Sequence, residues 1–324
     1  MQQIIANYVV FLSKNATYYE PRSHNIRNSI MTRKTKLNIV LAGILSVGTV
    51  SLAQATELKL DVYNPGEKSI FPVSSEIISG DKEVVLIDAQ FQKNDAETLV
   101  KRIKDTGKKL TTIYISQSDP DFYFGLEVLT KAFPDAKIIA SPETIKEINQ
   151  TKDGKLAYWG GILKDQAPKK VIVPKPLEGN TFTVDGEKLI VEGLNGPAAD
   201  RTFVWVPKLK AVVGGVTVSN NIHVWMADTQ TKESRKNWGQ TLDRIKELKP
   251  TIVVPGHFIG NTPMTLESVH FTQKYLTVFE KELVKAKDSK ALIAAMEKHY
   301  PKLGDKSSLE LSAKVLKGEM KWPQ

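Results

Sequence analysis

The stretch Thr111–Gly125, TTIYISQSDPDFYFG, constrains the fold more than any other part of the chain. Ile113, Tyr114 and Ile115 read as a buried β-strand and the polar run after them as a loop. Leu126, Val128, Leu129 and Phe133 then mark the apolar face of a following helix. A strand that ends in a carboxylate-bearing loop and feeds a helix belongs to an α/β layered protein. In such sheets the loop lies at the carboxyl edge, where ligands and chemistry collect. Asp119 and Asp121 are therefore the first candidate functional residues.

The flanking chain supplies the partners such a strand needs. Leu58–Tyr63 alternates at period two, and Ile70–Ile78 and Val84–Asp88 read as strands across a Ser79-Gly80-Asp81 turn. A helix is expected between Ala96 and Asp105, ended by Gly107. Beyond the focal loop the pattern predicts a strand at Ala136–Ala140, a helix at Pro142–Asn149 and an aromatic-rich continuation at Ala157–Leu163. Strands follow at Lys170–Val173, Thr181–Val184 and Lys188–Glu192, the last two joined by the hairpin pair Asp185-Gly186. Phe203–Gly215 reads as two strands around a short turn, Trp238–Leu248 as a helix and Thr251–Pro255 as a buried strand. Leu266–Lys285 and Ala291–Lys298 read as helices. Antiparallel hairpins opening each half, with βα units closing each half, predict an α/β (α+β) fold: a four-layer αβ/βα sandwich.

The first 55 residues stand apart from this pattern. The basic run from Met31 to Lys36, the apolar Ile39–Leu52 and the small-x-small triplet Ala53-Gln54-Ala55 read as a secretory signal, with Met31 the expected start and cleavage expected after Ala55. Residues 56–324 are then expected to form a single domain, periplasmic or secreted, without stable membrane association after cleavage. Of the 324 residues, 45 are Lys or Arg and 36 Asp or Glu, a formal net charge of +9. Residues 1–55 hold six of those bases and one of those acids, so the rest carries +4, and no basic cluster with interleaved aromatics argues for nucleic acid. The chain has no cysteine, which removes disulfides and thiolate–zinc sites.

The focal loop resembles the metal-binding loop of the metallo-β-lactamase-fold hydrolases, His-x-His-x-Asp-His followed by a Gly. Anchored on Pro120-Asp121 and Phe124-Gly125, the resemblance sets Gln117 and Asp119 at the first two His positions, Asp121 at the Asp and Phe122 at the last His. It extends over most of residues 56–324. Val85–Asp88 is similar to the family's early strand ending in Asp, Val204–Pro207 and Ala211–Gly215 to its later hairpin, and Val253–His257 to its last ligand motif. The third-loop His is replaced by Gly193-Leu194-Asn195-Gly196 and the bridging Asp by Val216. The resemblance therefore implies the family's fold but not its two-zinc centre. The acids clustered where the His should be suggest instead one divalent ion, Mn, Fe, Mg or Zn, on Asp119, Asp121 and His257, with the Gln117 carbonyl or Asp200 as a fourth ligand. Such an ion would lower the pKa of a bound water for attack on an ester, lactone or amide.

Each candidate has a plainer reading. Asp119 and Asp121 also suit helix capping, and His257 also suits a turn histidine bonded within its own loop. His223, with Asp228 as its orienting acid, is a candidate general acid, and equally a packing residue. Phe122, Tyr123, Phe124, Trp159, Trp205 and Trp225 fit either a pocket wall or core, and Asp88 fits a loop brace. Two functions remain: an exported hydrolase of a small-molecule substrate, or a non-catalytic ligand-binding protein that kept the cleft. Convergence of Asp119, Asp121 and His257 separates them.

Overall fold

A computed structural model describes residues 57–322; the expected signal segment lies outside them. The chain opens with strand β1 (Lys59–Tyr63), β2 (Ser75–Ser79), β3 (Glu83–Ile87), helix α1 (Lys93–Asp105) and the focal strand β4 (Lys109–Ile115). The loop after β4 enters a single helical turn, α2 (Pro120–Tyr123), then α3 (Leu126–Ala132), β5 (Lys137–Ala140), α4 (Pro142–Leu163) and β6 (Lys175–Pro176). A second sheet uses β7 (Thr181–Val184), β8 (Glu187–Glu192), β9 (Phe203–Val206) and β10 (Ala211–Val213). After β11 (Ser219–Asn220) come α5 (Lys232–Glu247), β12 (Ile252–Val253), β13 (His257–Phe258), α6 (Leu266–Lys285), α7 (Ser289–His299) and α8 (Lys306–Leu316).

The strands make a six-stranded sheet in the order β1-β2-β3-β4-β5-β6 and a five-stranded sheet in the order β12-β10-β9-β8-β7. β11 and β13 form a short parallel pair of their own. β3, β4 and β5 run parallel, as the intervening helices require, while β7 to β10 form an antiparallel meander.

Side-chain alternation then sorts the layers. Val84, Leu86, Ile113 and Ile115 face outward onto Leu99, Leu126, Ile148 and Trp159 of the first helical layer. Their neighbours Val85, Ile87 and Tyr114 face inward against Val184, Leu189, Val204 and Val213 of the second sheet. Phe203 and Val212 face the other way, onto Trp238, Leu242, Tyr275 and Leu292 of the second helical layer. Each fully buried aliphatic or aromatic side chain here contributes about 1.5–3 kcal/mol. The result is the αβ/βα sandwich that the alternating pattern predicts.

Three local expectations change. Lys170–Val173 is not a strand; it is flanked by Pro168 and Pro174, which lack ladder donors, and its apolar side chains pack against the first helical layer as irregular chain. The helix expected to end at Asn149 continues unbroken through Gly154 to Leu163. Its start is fixed by Pro142 in the first turn and by the Ser141 hydroxyl, which accepts from the Thr144 N–H. Helix α8 has no counterpart among the expected elements. Among the described residues no helix is long and apolar enough to cross a membrane.

Candidate functional site

At the carboxyl end of β4 the chain is held from several directions. Asp88, which closes β3 at φ 60°, accepts from the Ser116 N–H at 2.8 Å, the Ser116 hydroxyl at 2.7 Å and the Gly215 N–H at 3.3 Å. The Thr202 N–H donates to the Ser116 carbonyl at 3.0 Å, as does the Thr202 hydroxyl at 2.6 Å, while the Tyr114 hydroxyl meets Thr202 Oγ1 at 2.6 Å. The second half of the chain thereby fixes where the focal loop begins. Asp88 is the brace expected of it. It is fully buried, and burial pushes its carboxyl up to about 7.

Pro120 occupies the first helical turn and sets Asp121 and Phe122 beneath the sheet edge. Across from them, β13 delivers His257 beside Ser219. The approach depends on Gly256, where a Cβ would lie 2.0 Å from the Gly215 carbonyl oxygen. His257 Nε2 stands 2.8 Å from Asp121 Oδ2, with both side chains nearly buried. Burial pushes the Asp121 carboxyl up, and the His257 ring pulls it partly back.

Asp119 sits at the N-cap position of α2, yet its side chain caps nothing. It faces Lys155, whose Nζ lies 3.2 Å from Asp119 Oδ1 and donates to the Ser118 carbonyl at 3.0 Å. Burial works to raise the Asp119 carboxyl. The Lys155 ammonium and the Arg201 guanidinium outweigh it and hold the group below the usual carboxylate range. Asp200 is half-exposed, its carboxylate 3.7 Å from Arg201 Nε, and the buried amide nitrogen of Gln117 meets no acceptor in hydrogen-bonding geometry.

These residues rim a cavity of about 440 Å³. Its longest wall is one face of α4: Glu147, Gln150, Thr151, Gly154, Lys155, Tyr158 and Trp159 recur at helical spacing and all line it. Phe71, Trp225, Trp238 and Trp322 close much of the rest. Asp228 sits among them, its Oδ1 accepting from Trp322 Nε1 at 2.8 Å and its Oδ2 from Trp225 Nε1. Burial, reinforced by the negative charge of Asp119, pushes the Asp228 carboxyl up.

His223 lies elsewhere. It is fully buried, its Nδ1 is 3.1 Å from the Tyr275 hydroxyl, and burial lowers its pKa. Asp228, the acid expected to orient it, is held by the two indoles instead. The packing reading of His223 therefore replaces the general-acid one. Phe122, Tyr123, Phe124 and Trp205 are likewise packing residues rather than cavity walls, whereas Trp159 and Trp225 do line the cavity.

The four layers, with the cavity at the strand ends of the first sheet, define a protein of the metallo-hydrolase fold. Residues 70–257 match the family model of the metallo-beta-lactamase superfamily, and the chain belongs to that superfamily. Among solved structures it is similar to a metallo-beta-lactamase family protein from Thermus thermophilus, with 16% identity and a TM-score of 0.57 over 80% of this chain and 91% of that one. It is also similar to the metallo-beta-lactamase IND-7, with 20% identity and a TM-score of 0.51 over 69% of this chain and 100% of the other. A metallo-beta-lactamase from Pontibacter korlensis gives 19% identity and a TM-score of 0.47 over 68% of this chain and 94% of its own. No curated protein matches the chain in sequence.

Members of the superfamily usually hold divalent metals. The donor set here does not fit that role. Among the described residues no three of His, Asp and Glu are grouped to hold an ion. Asp121 and His257 are bonded to each other, and an ammonium already stands on Asp119. The mononuclear arrangement expected of Asp119, Asp121 and His257, with Gln117 or Asp200 as a fourth ligand, is not assembled. Lys155 and Arg201, cavity cations that the sequence did not announce, take up the charge of the loop acids instead.

Proposed function

We propose that this protein is a hydrolase of small molecules in which Asp121 and His257 form the acid–base unit. The observation that carries the reading is their 2.8 Å contact on the wall of the 440 Å³ cavity. A carboxylate bonded to one ring nitrogen fixes the tautomer and leaves the other nitrogen to take a proton from an attacking water. Negative charge developing on a substrate carbonyl oxygen would be met by Lys155 or Arg201, which line the same space. Superfamily membership supports hydrolysis as the class of chemistry, and an ester, lactone or amide is the substrate class that suits a base without a phosphate cradle. Because the donor set does not fit an ion, no metal-bound water enters this reading. The Met31–Ala55 segment supports an exported, periplasmic site of action.

A second reading has its own support. Only Asp121 and His257 converge, while Asp119 is already satisfied by Lys155, as it would be in a ligand-binding protein that had given up catalysis. The two separate in one experiment. An ester, lactone and amide panel is assayed with wild type, Asp121→Asn and His257→Gln, each with and without a chelator. Turnover that resists chelation and falls in both variants supports the hydrolase; no turnover on any substrate leaves the binding reading.

A further inference from the structure

We propose that the aromatic wall of this cavity is a recognition site for an alkylated ammonium, an organic cation carrying methyl or similar groups on nitrogen. The inference names what enters the cavity of the proposed hydrolase. It rests on that reading only for the cavity being the ligand site.

Five rings form a closed circuit. Phe71 and Trp225 are 6.1 Å apart at 79°, Trp225 and Trp322 5.5 Å at 71°, and Trp322 and Tyr158 5.6 Å at 84°. Tyr158 and Trp159 are 4.9 Å apart at 89°, and Trp159 returns to Phe71 at 5.2 Å and 77°. Core aromatics often pack this way. Here, however, Phe71, Tyr158, Trp225 and Trp322 are only half-buried, and all five rings line the cavity. Trp159 and Trp322 also meet across the circuit at 6.5 Å, so the rings fill its centre themselves, and a guest lies instead against the ring surfaces turned to the cavity, where a π face attracts a cation.

Charge points the same way. Asp228 lies at the seam of Trp225 and Trp322 and takes both indole N–H groups at the ring edges. No cation stands within ion-pair distance of it among the described residues. The cavity lining carries six carboxylates, Asp119, Asp121, Glu147, Asp200, Asp228 and Asp305, against two full cations. Of these, Lys155 is paired with Asp119 and Arg201 stands beside Asp200. Burial pushes Asp121 and Asp228 towards their neutral forms, yet the other four acids still outnumber the two cations, so the surplus is negative and an anionic guest is disfavoured. A hard metal ion suits the wall equally poorly, because ring faces are not ligands and both Asp228 oxygens are already engaged. A primary ammonium would leave N–H donors unmet against the rings, whereas an alkylated one presents only C–H groups there.

The test uses three guests of nearly one shape. Choline, its neutral isostere 3,3-dimethyl-1-butanol and the anionic 3,3-dimethylbutanoate are titrated into the purified protein, read by tryptophan fluorescence and calorimetry. Choline is expected to bind at least about tenfold more tightly than the alcohol, with the carboxylate weakest. Asp228→Asn is expected to weaken choline about tenfold. Tyr158→Leu, on the cavity face of α4 where folding is least at risk, is expected to weaken it severalfold without changing the weak affinity for the alcohol. Equal affinity for choline and the alcohol, preference for the carboxylate, no choline binding, or indifference to both variants overturns the proposal. Binding is read without turnover, so lack of hydrolysis does not count against it, and lack of choline binding does not count against hydrolysis.

Discussion

The Lys155 ammonium stands 3.2 Å from the Asp119 carboxylate, in the loop where a metal ion would otherwise supply the positive charge. Helix α4 carries the lysine 36 residues downstream of its partner, and both side chains are largely shielded from solvent. The pair is therefore screened less by salt than a surface ion pair.

Removing that cation leaves a shielded carboxylate unpaired. Lys155→Met is expected to destabilise the protein by about 1–3 kcal/mol at pH 7. Asp119 titrates below the usual carboxylate range in the folded state. Its contribution is thus present above the unfolded-state pKa of about 4 and is lost as pH falls through the lower folded value. Urea unfolding of wild type and variant at pH 7 and pH 3 should show the gap at neutrality and its narrowing in acid. A gap unchanged at pH 3 would place the effect in packing of the lysine stem instead.

The Asp121–His257 pair makes a sharper claim about chemistry. Asp121→Asn keeps the shape but removes the charge that orients the ring, and His257→Gln removes the base. Each is expected to lower kcat by a factor of about 10²–10⁴ on any substrate the wild type turns over, with little change in KM. The double variant should lose no more than the worse single one, because the two residues act as a unit. Additive losses in a steady-state comparison would separate their roles.

Two buried acids beneath the site predict an unusual pH dependence. Glu76 is fully buried, no donor reaches either oxygen in hydrogen-bonding geometry, and burial followed by repulsion from Asp88 pushes it up to about 8. Asp88 is pushed up to about 7, mainly by burial. Between the ordinary carboxylate range and these values the folded protein holds protons that the unfolded chain has released. Stability therefore falls as pH rises through that window, by up to about 1.4 kcal/mol per pH unit for each group. Calorimetric unfolding should give a lower Tm at pH 8 than at pH 5.5. In Glu76→Gln, which cannot ionise, that slope should be shallower, with Asp88, Asp121 and Asp228 keeping the remainder.

Much of the fold is written in the alternation of its strands. Val84 to Ile87 and Ile113 to Ile115 send successive side chains into different layers, and that period is visible in the residues themselves. Asp121 and His257 could also be singled out, because a Pro-Asp loop after a strand and a Pro-Gly-His turn each constrain the backbone locally. Lys155 and Arg201 could not. A lysine on a helix reads as solvated until the tertiary fold turns that face inward, and the stripe from Glu147 to Trp159 is too polar to announce a wall. His223 misled for the converse reason: its neighbours Trp225 and Asp228 do line the cavity, while its own ring turns to Tyr275. Helix α8 is legible in Leu309, Ala313 and Leu316, which recur at helical spacing and pack into the second helical layer, whereas the positive φ of 52° at its N-cap Asp305 is not.

The position of His257 rests on a backbone contact that leaves no room for a side chain. Gly256 passes so close to Gly215 that an added Cβ would meet the Gly215 oxygen at 2.0 Å and its carbonyl carbon at 3.0 Å, and both obstacles are backbone. Neither can swing aside as a side chain would. The Gly256 N–H also donates to the Val218 carbonyl and its carbonyl accepts from the Ser74 N–H, so the segment is fixed on both sides. Gly256→Ala should therefore push β13 outward, at a cost of about 1–3 kcal/mol or more. The shift lengthens the His257–Asp121 contact before it unfolds anything, so activity should fall further than stability. The measurement is a pair: urea unfolding for the global loss, and the imidazole resonances of His257 for the broken contact. An alanine variant that keeps the histidine signal unshifted would show that β13 tolerates the displacement and that the pair is held from elsewhere.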